Sequence, residues 1–224
     1  MSGTPSRLAA VLREEIAAHE GAKTSELRML RRRWSRELRH ADAMVVRGLA
    51  RRALRGADDT VRWVVYELIT SHPAALASLR ARDLEWLGEG IASWSAVDTF
   101  ACYLAGPAWC EGQVSTELIE RWARSEDRWW RRAALASTVA LNVPARGGSG
   151  DARKTLEICG ILVDDRDDMV VKALSWALRA LARRDSASVR RFLARHGDRL
   201  APRVRREVHH KLTTGLKNPK RRRA

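Results

Sequence analysis

The sequence predicts an all-α fold, a helical-repeat solenoid or α–α superhelix, and three observations carry the prediction. Apolar residues return at helical spacing through nearly all of the 224 residues. No convincing period-two run interrupts them. An acid-led helix opening, followed by apolar residues and then a base, recurs along the chain, and with the Trp94 helix counted the starts fall roughly 35 to 40 residues apart.

Taken in order, Thr4-Pro5-Ser6 supplies an N-cap and a first-turn proline, and Leu8, Val11, Leu12 and Ile16 mark one apolar stripe, so a first helix runs to near Gly21. A second begins at Thr24-Ser25-Glu26, with Leu27, Leu30, Trp34 and Leu38 inward and Arg31, Arg32, Arg33 and Arg36 outward. Its outer face is strongly basic. Helices are expected next over 42–55, 58–71 and 73–92, the last broken near Asp83.

Trp94-Ser95-Ala96-Val97-Asp98, read as the first turns of the following helix, sets the Trp94 indole and the Asp98 carboxylate four residues apart on one face. Ile91, Val97, Ala101 and Leu104 fall on the other side. Asp98 then faces either a groove or a salt-bridge partner. For a single Asp in an arginine-rich helical protein, capping or ion pairing is the plainer reading. What argues for the groove is company: Arg132, in Trp129-Trp130-Arg131-Arg132-Ala133-Ala134, and Trp176, in Lys172-Ala173-Leu174-Ser175-Trp176, hold similar places in similar units.

The openings Asp58-Asp59-Thr60-Val61-Arg62-Trp63, Glu126-Asp127-Arg128-Trp129-Trp130-Arg131-Arg132-Ala133 and Asp167-Asp168-Met169-Val170-Val171-Lys172-Ala173 look like one unit reused, and with the Trp94 helix slotted between the first two the starts fall at roughly the length of a two-helix HEAT-type repeat. An acid at a helix start complements the dipole, and the base that follows can reach a phosphate or a neighbouring acid. An ordinary bundle of well-capped helices is the alternative. Asn142-Val143-Pro144-Ala145-Arg146-Gly147-Gly148-Ser149-Gly150 breaks the pattern as a flexible connector, without the Gly-Lys-Ser/Thr ending of a phosphate loop. The expected organisation is one repeat domain over 1–216 and a disordered basic tail over 217–224.

With 42 Lys and Arg against 27 Asp and Glu, the formal net charge is +15, and arginine supplies most of the excess. That balance favours phosphate recognition, with nucleic acid the leading partner. A membrane is the rival, but no apolar run reaches about 18 residues and the tryptophans are spread along the chain. The N-terminus lacks the layout of a signal peptide, so a cytoplasmic protein is expected, in a bacterium with the nucleoid. Cys102, Cys110 and Cys159 stand in no metal-ligand spacing and read as reduced, mostly buried thiols. His209-His210 are adjacent, not four apart, while His19, His40, His72 and His196 read as solvent-edge residues; no metal site or cofactor is expected.

From about Trp86 to Leu212 the chain resembles the AlkD-like family of DNA alkylation-repair glycosylases, through an ordered set of segments: WSAVD at 94–98, WWRRAAL at 129–135 and VKALSWALRALARRD at 171–185. The resemblance implies HEAT-like repeats around a concave basic cleft, in which Trp94, Asp98, Arg132 and Trp176 surround a lesion nucleotide. It further implies a monomer acting on double-stranded DNA that carries alkylated purines, with the damaged base processed while still stacked.

The residue types suit that chemistry. A purine methylated at N3 or N7 is already cationic, so what remains to be stabilised is the oxocarbenium-like sugar, a task for a fixed carboxylate at Asp98. Indole faces at Trp94 and Trp176 would pack on the deoxyribose, and Arg132 would grip a flanking phosphate. Arg131, Lys172 and Arg179 are further phosphate candidates, whereas Trp63, Trp109 and Trp122 read as core. A DNA-binding HEAT module without catalysis is the alternative function.

Overall fold

The computed structural model describes residues 3–19, 21 and 23–219, and every regular element among them is helical. The chain forms two compact units, Met1–Leu104 and Ala105–Ala224, and the domain expected over 1–216 spans both.

The first unit holds α1 (Pro5–Ala17), α2 (Thr24–Leu38), α3 (Ala43–Ala53), α4 (Asp59–Thr70), α5 (Pro73–Ala77), α6 (Ala81–Gly88) and α7 (Trp94–Phe100). Helix starts follow local chemistry. Thr4 caps α1, Asp42 caps α3, and the Asp58 carboxylate accepts from the Val61 amide at 2.8 Å. α1 packs on α3, α2 and α3 pack on α4, and α4 carries α7, around a core that includes Leu12, Trp34, Leu49, Tyr66 and Phe100.

Three expectations change in this unit. The helix predicted over 73–92 breaks at Ser78–Arg80, not near Asp83, because the Asp83 carboxylate accepts from the Arg80 amide at 3.0 Å and so starts α6. His72 is buried, not at the solvent edge. Its Nδ1 accepts from the Ala75 amide at 3.0 Å, which caps α5, and its Nε2 lies 3.1 Å from the Ala41 carbonyl. Trp63 is half-buried on α4, outside the core.

The chain leaves the first unit within a π-helical turn, Ala101–Ala105. Pro107 explains it. Proline has no N–H for the Tyr103 carbonyl four residues back, and its ring would collide there in a regular helix. The Thr70 hydroxyl supplies a donor to that carbonyl, at 3.3 Å.

The second unit holds α8 (Gly106–Cys110), α9 (Thr116–Ala123), α10 (Arg128–Asn142), α11 (Ala152–Ile161), α12 (Asp168–Leu181), α13 (Ser186–His196) and α14 (Pro202–Thr214). Its repeat character shows in the packing: α10, α12 and α14 stack as one row, α9, α11 and α13 as another, and each row rests on the other. α10 is the centre, buried from Arg132 to Asn142. Its run of Ala133, Ala134, Ala136, Ser137 and Ala140 lets neighbours approach closely.

Acid-led openings staple this stack. Asp127 and Asp167 cap α10 and α12, and the carboxylates and guanidiniums around them link successive repeats. Arg128 reaches Asp167 at 3.2 Å, Arg131 reaches Asp165 at 2.7 Å, Arg203 reaches Asp168 at 2.6 Å, and Arg199 pairs with Asp164. The base after each acid therefore meets a neighbouring acid.

The glycine-rich stretch expected to be a flexible connector is a folded cap. After a 3₁₀ turn at Pro144–Arg146 the chain doubles back, and the Gly150 amide donates to the Leu141 carbonyl at 2.8 Å. Gly148 is buried against the end of α10. Of the expected basic tail, only Lys217, Asn218 and Pro219 lie within the described residues, and Lys217 is held 3.6 Å from Glu207.

Candidate functional site

In the first unit, α7 begins at Trp94, so the predicted pair occupies its first and fifth residues, one turn apart. Ser93 caps the helix by accepting from the Ala96 amide at 3.2 Å, and the Ser95 hydroxyl reaches Asp59 at 3.2 Å, tying the start of α7 to that of α4. Ala96, Val97 and Phe100 are buried beneath, with the Phe100 ring 5.9 Å from that of Tyr66. This leaves the Trp94 indole 59% exposed and Asp98 half-buried.

Sequence reasoning missed the support beneath this helix. The buried Arg62 donates from Nη1 to the Tyr66 hydroxyl at 3.2 Å and from Nη2 to the Glu89 carbonyl at 2.9 Å, while Tyr66 donates to the Leu87 carbonyl at 2.7 Å. Together they fix the turn leading into α7. Gly90 adopts φ 68° there, a left-handed conformation that suits glycine. Burial pushes the Tyr66 phenol up to about 12, so it stays a donor. The available signal was the Arg62–Tyr66 spacing of four on the apolar face of α4.

The second unit holds the other predicted residues on α10 and α12. Arg132, expected to clamp a phosphate, is only 5% exposed, and its Nη1 donates to the Met169 carbonyl at 2.6 Å. Arg131 is committed to protein partners: besides Asp165, it donates to the carbonyls of Ser125 at 2.9 Å and Glu126 at 2.7 Å. Neither presents the open fork expected of a phosphate clamp.

On α12, Lys172, Trp176 and Arg179 follow at helical spacing along one partly exposed stripe. Lys172 pairs with Asp168 at 2.6 Å in a solvent-facing bridge, which holds the Asp168 carboxyl below the usual carboxylate range. Such an exposed pair is easily exchanged for another anion. Arg179 is anchored from below. Its Nε donates to the Ser175 hydroxyl at 3.2 Å and lies 3.9 Å from Glu207, to which Ser175 itself donates at 2.6 Å. Glu207 is buried and also draws Arg203 and Lys217, an organising role that its place in Val204-Arg205-Arg206-Glu207-Val208 does not announce.

Among the described residues no group of three or more His, Cys, Asp or Glu side chains is placed to hold a metal, and no helix is long and apolar enough to cross a membrane. Cys102 and Cys159 are buried and Cys110 is partly so. Burial raises the Cys159 thiol pKa far above its ordinary value.

The sequence model of the DNA alkylation repair enzyme family matches residues 7–212. The chain belongs to the DNA alkylation repair enzyme family. The match spans nearly all of both units, so it takes in the N-terminal helices as well as the segments after Trp86. No curated protein and no solved structure gives a match. Membership connects the all-helical repeat fold and the excess of arginine to the repair of alkylated DNA.

Proposed function

We propose that this member of the DNA alkylation repair enzyme family is a monofunctional DNA glycosylase that hydrolyses the N-glycosidic bond of cationic N3- or N7-alkylated purines in duplex DNA. The observation that carries the reading is the pair at the start of α7, an exposed indole one turn from a half-buried carboxylate on a helix pinned from beneath. As the C1′–N bond stretches, its electron pair moves onto the base and neutralises it. No strong general acid is needed. Positive charge shifts to the sugar, where Asp98 stabilises it and orients the water whose oxygen bonds to C1′; the proton released passes to solvent. The Trp94 face packs on the deoxyribose and adds cation–π attraction of about 0.5–2 kcal/mol.

In the second unit, the stripe of Lys172, Trp176 and Arg179 supplies phosphate contacts and a second indole, with Lys172 exchanging Asp168 for the DNA backbone. The reaction calls for no cofactor. The enzyme acts as a cytoplasmic monomer in base-excision repair of alkylation damage.

Single-turnover release of 7-methylguanine and 3-methyladenine from methylated duplex DNA tests the proposal. Asp98→Asn keeps the size of the side chain and removes its charge, so release should slow by about 10²–10³-fold, roughly 2.7–4 kcal/mol. Binding to undamaged duplex should hold. Wild-type protein that binds the duplex but frees no alkylpurine would instead be a noncatalytic DNA-binding module.

A further inference from the structure

The turn that delivers α7 is held more by side chains than by its own backbone. Between the end of α6 at Gly88 and the start of α7 at Trp94 the backbone hydrogen bonds are long, from the Glu89 amide to the Trp86 carbonyl at 3.3 Å and from the Ile91 amide to the Gly88 carbonyl at 3.4 Å. Carbonyls left open at the helix end are taken by α4 instead. Leu87 accepts from the Tyr66 phenol and Glu89 from the Arg62 guanidinium, which also donates to that phenol. The turn wraps closely on this pair, since a Cβ at Gly90 would stand 3.3 Å from Nη2 of Arg62. Tyr66 reaches the far end of α7 as well, because its ring lies against that of Phe100, the last residue of the helix. Trp94 and Asp98 stand between these two holds.

Arg62 is a costly residue for this task. It is 7% exposed, and among the described residues no carboxylate comes within ion-pair distance of it. A buried cation bound only to a phenol and a carbonyl lowers stability that an apolar side chain of similar size would restore. Such a side chain lacks the fork with its directed donors. We propose that Arg62 and Tyr66 are positioning residues for the Trp94–Asp98 pair, holding α7 so that carboxylate and indole keep one fixed geometry. The role in chemistry rests on the reading of that pair as the reacting one; Arg62 and Tyr66 are buried and act through α7. A displacement of about 1 Å at a reacting group can slow a reaction by about 10²-fold.

The test uses the full-length protein carrying Tyr66→Phe, which removes one hydroxyl and keeps the ring, or Arg62→Met, which removes the fork and keeps much of the length. Single-turnover release of 7-methylguanine is followed over a range of enzyme concentration, beside thermal melts. Both variants should slow the maximal rate by about 10- to 100-fold, while the half-saturating concentration changes by less than about 3-fold. Arg62→Met should melt at or above the wild-type temperature. Tyr66→Phe leaves the Arg62 charge in place, so its agreement with Arg62→Met assigns the loss to position and not to the field of the guanidinium. On an Asp98→Asn background the effect of Tyr66→Phe should shrink below about 3-fold, because the charge it places is gone. Wild-type rates in both variants, or equal slowing with and without the Asp98 charge, would overturn the proposal and leave the two residues a purely structural role. Fluorine NMR of fluorotryptophan-labelled protein, with Trp94 assigned through Trp94→Phe, reads the geometry without chemistry. Tyr66→Phe should shift, broaden or split the Trp94 line. A line that does not change would overturn the proposal even where release slows. Wild-type protein that frees no purine defeats the glycosylase reading alone, and the Trp94 line then decides whether the pair is held in place.

Discussion

Nη1 of Arg132 donates to the carbonyl oxygen of Met169 at 2.6 Å, joining α10 to the first turn of α12. A residue expected to grip DNA thus helps hold two repeats together. Arg132→Ala should cost about 1–3 kcal/mol of stability, since it removes a buried side chain and its hydrogen bond to a partly buried carbonyl and leaves space beside α12. Urea unfolding measures this. A variant as stable as wild type that loses only DNA affinity would return Arg132 to the phosphate.

The tryptophans divide by burial. Trp122 is 4% exposed and packs against Trp130 with ring centroids 4.9 Å apart and planes tilted by 43°, so Trp122→Ala should cost about 3–5 kcal/mol. Trp94→Ala should shift stability by less than about 1 kcal/mol while slowing alkylpurine release. Thermal melts beside single-turnover assays of both variants decide the matter. A Trp94 variant that melts early and releases base normally would place that indole in a structural role.

Glycine substitutions report on the cap after α10. A Cβ at Gly148 would stand 2.0 Å from the Ala140 carbonyl oxygen and 2.4 Å from that of Leu141, both backbone atoms. Gly148→Ala should therefore destabilise the second unit by about 1–3 kcal/mol or more. Gly160, inside α11, meets nothing within 4 Å, and Gly160→Ala should gain about 0.5–1 kcal/mol. Chemical denaturation of the pair should show opposite signs.

Acid should loosen the same unit. Hydrogen bonds from Arg199, Lys172 and Ser188 hold the carboxyls of Asp164, Asp168 and Asp185 below their ordinary value of 3.8. Because the folded state lowers these pKa values, the stability they contribute is complete above that value and is lost as pH falls through the depressed ones. The melting temperature should drop below about pH 4, and Asp168→Asn should shrink the drop. Identical acid profiles for variant and wild type would remove Asp168 from this account.

The sequence by itself determined the helices, most of their starts and the repeat. Thr4, Asp58, Asp127 and Asp167 cap where they were expected because capping joins a side chain to an amide two or three residues away, and the apolar stripe of α2 obeys the period of its own helix. The adjacency of Trp94 and Asp98 was legible for the same reason. Tertiary structure alone decided which charges remain outward. Arg131 and Arg28 read alike in sequence, yet Arg131 is absorbed by Asp165 and two carbonyls while Arg28 stays exposed. Arg132 found Met169, Arg62 found Glu89, and Gly148 found the end of α10. A helical period reports which way a side chain points; its partner belongs to another helix or to the returning chain, and only packing brings the two together.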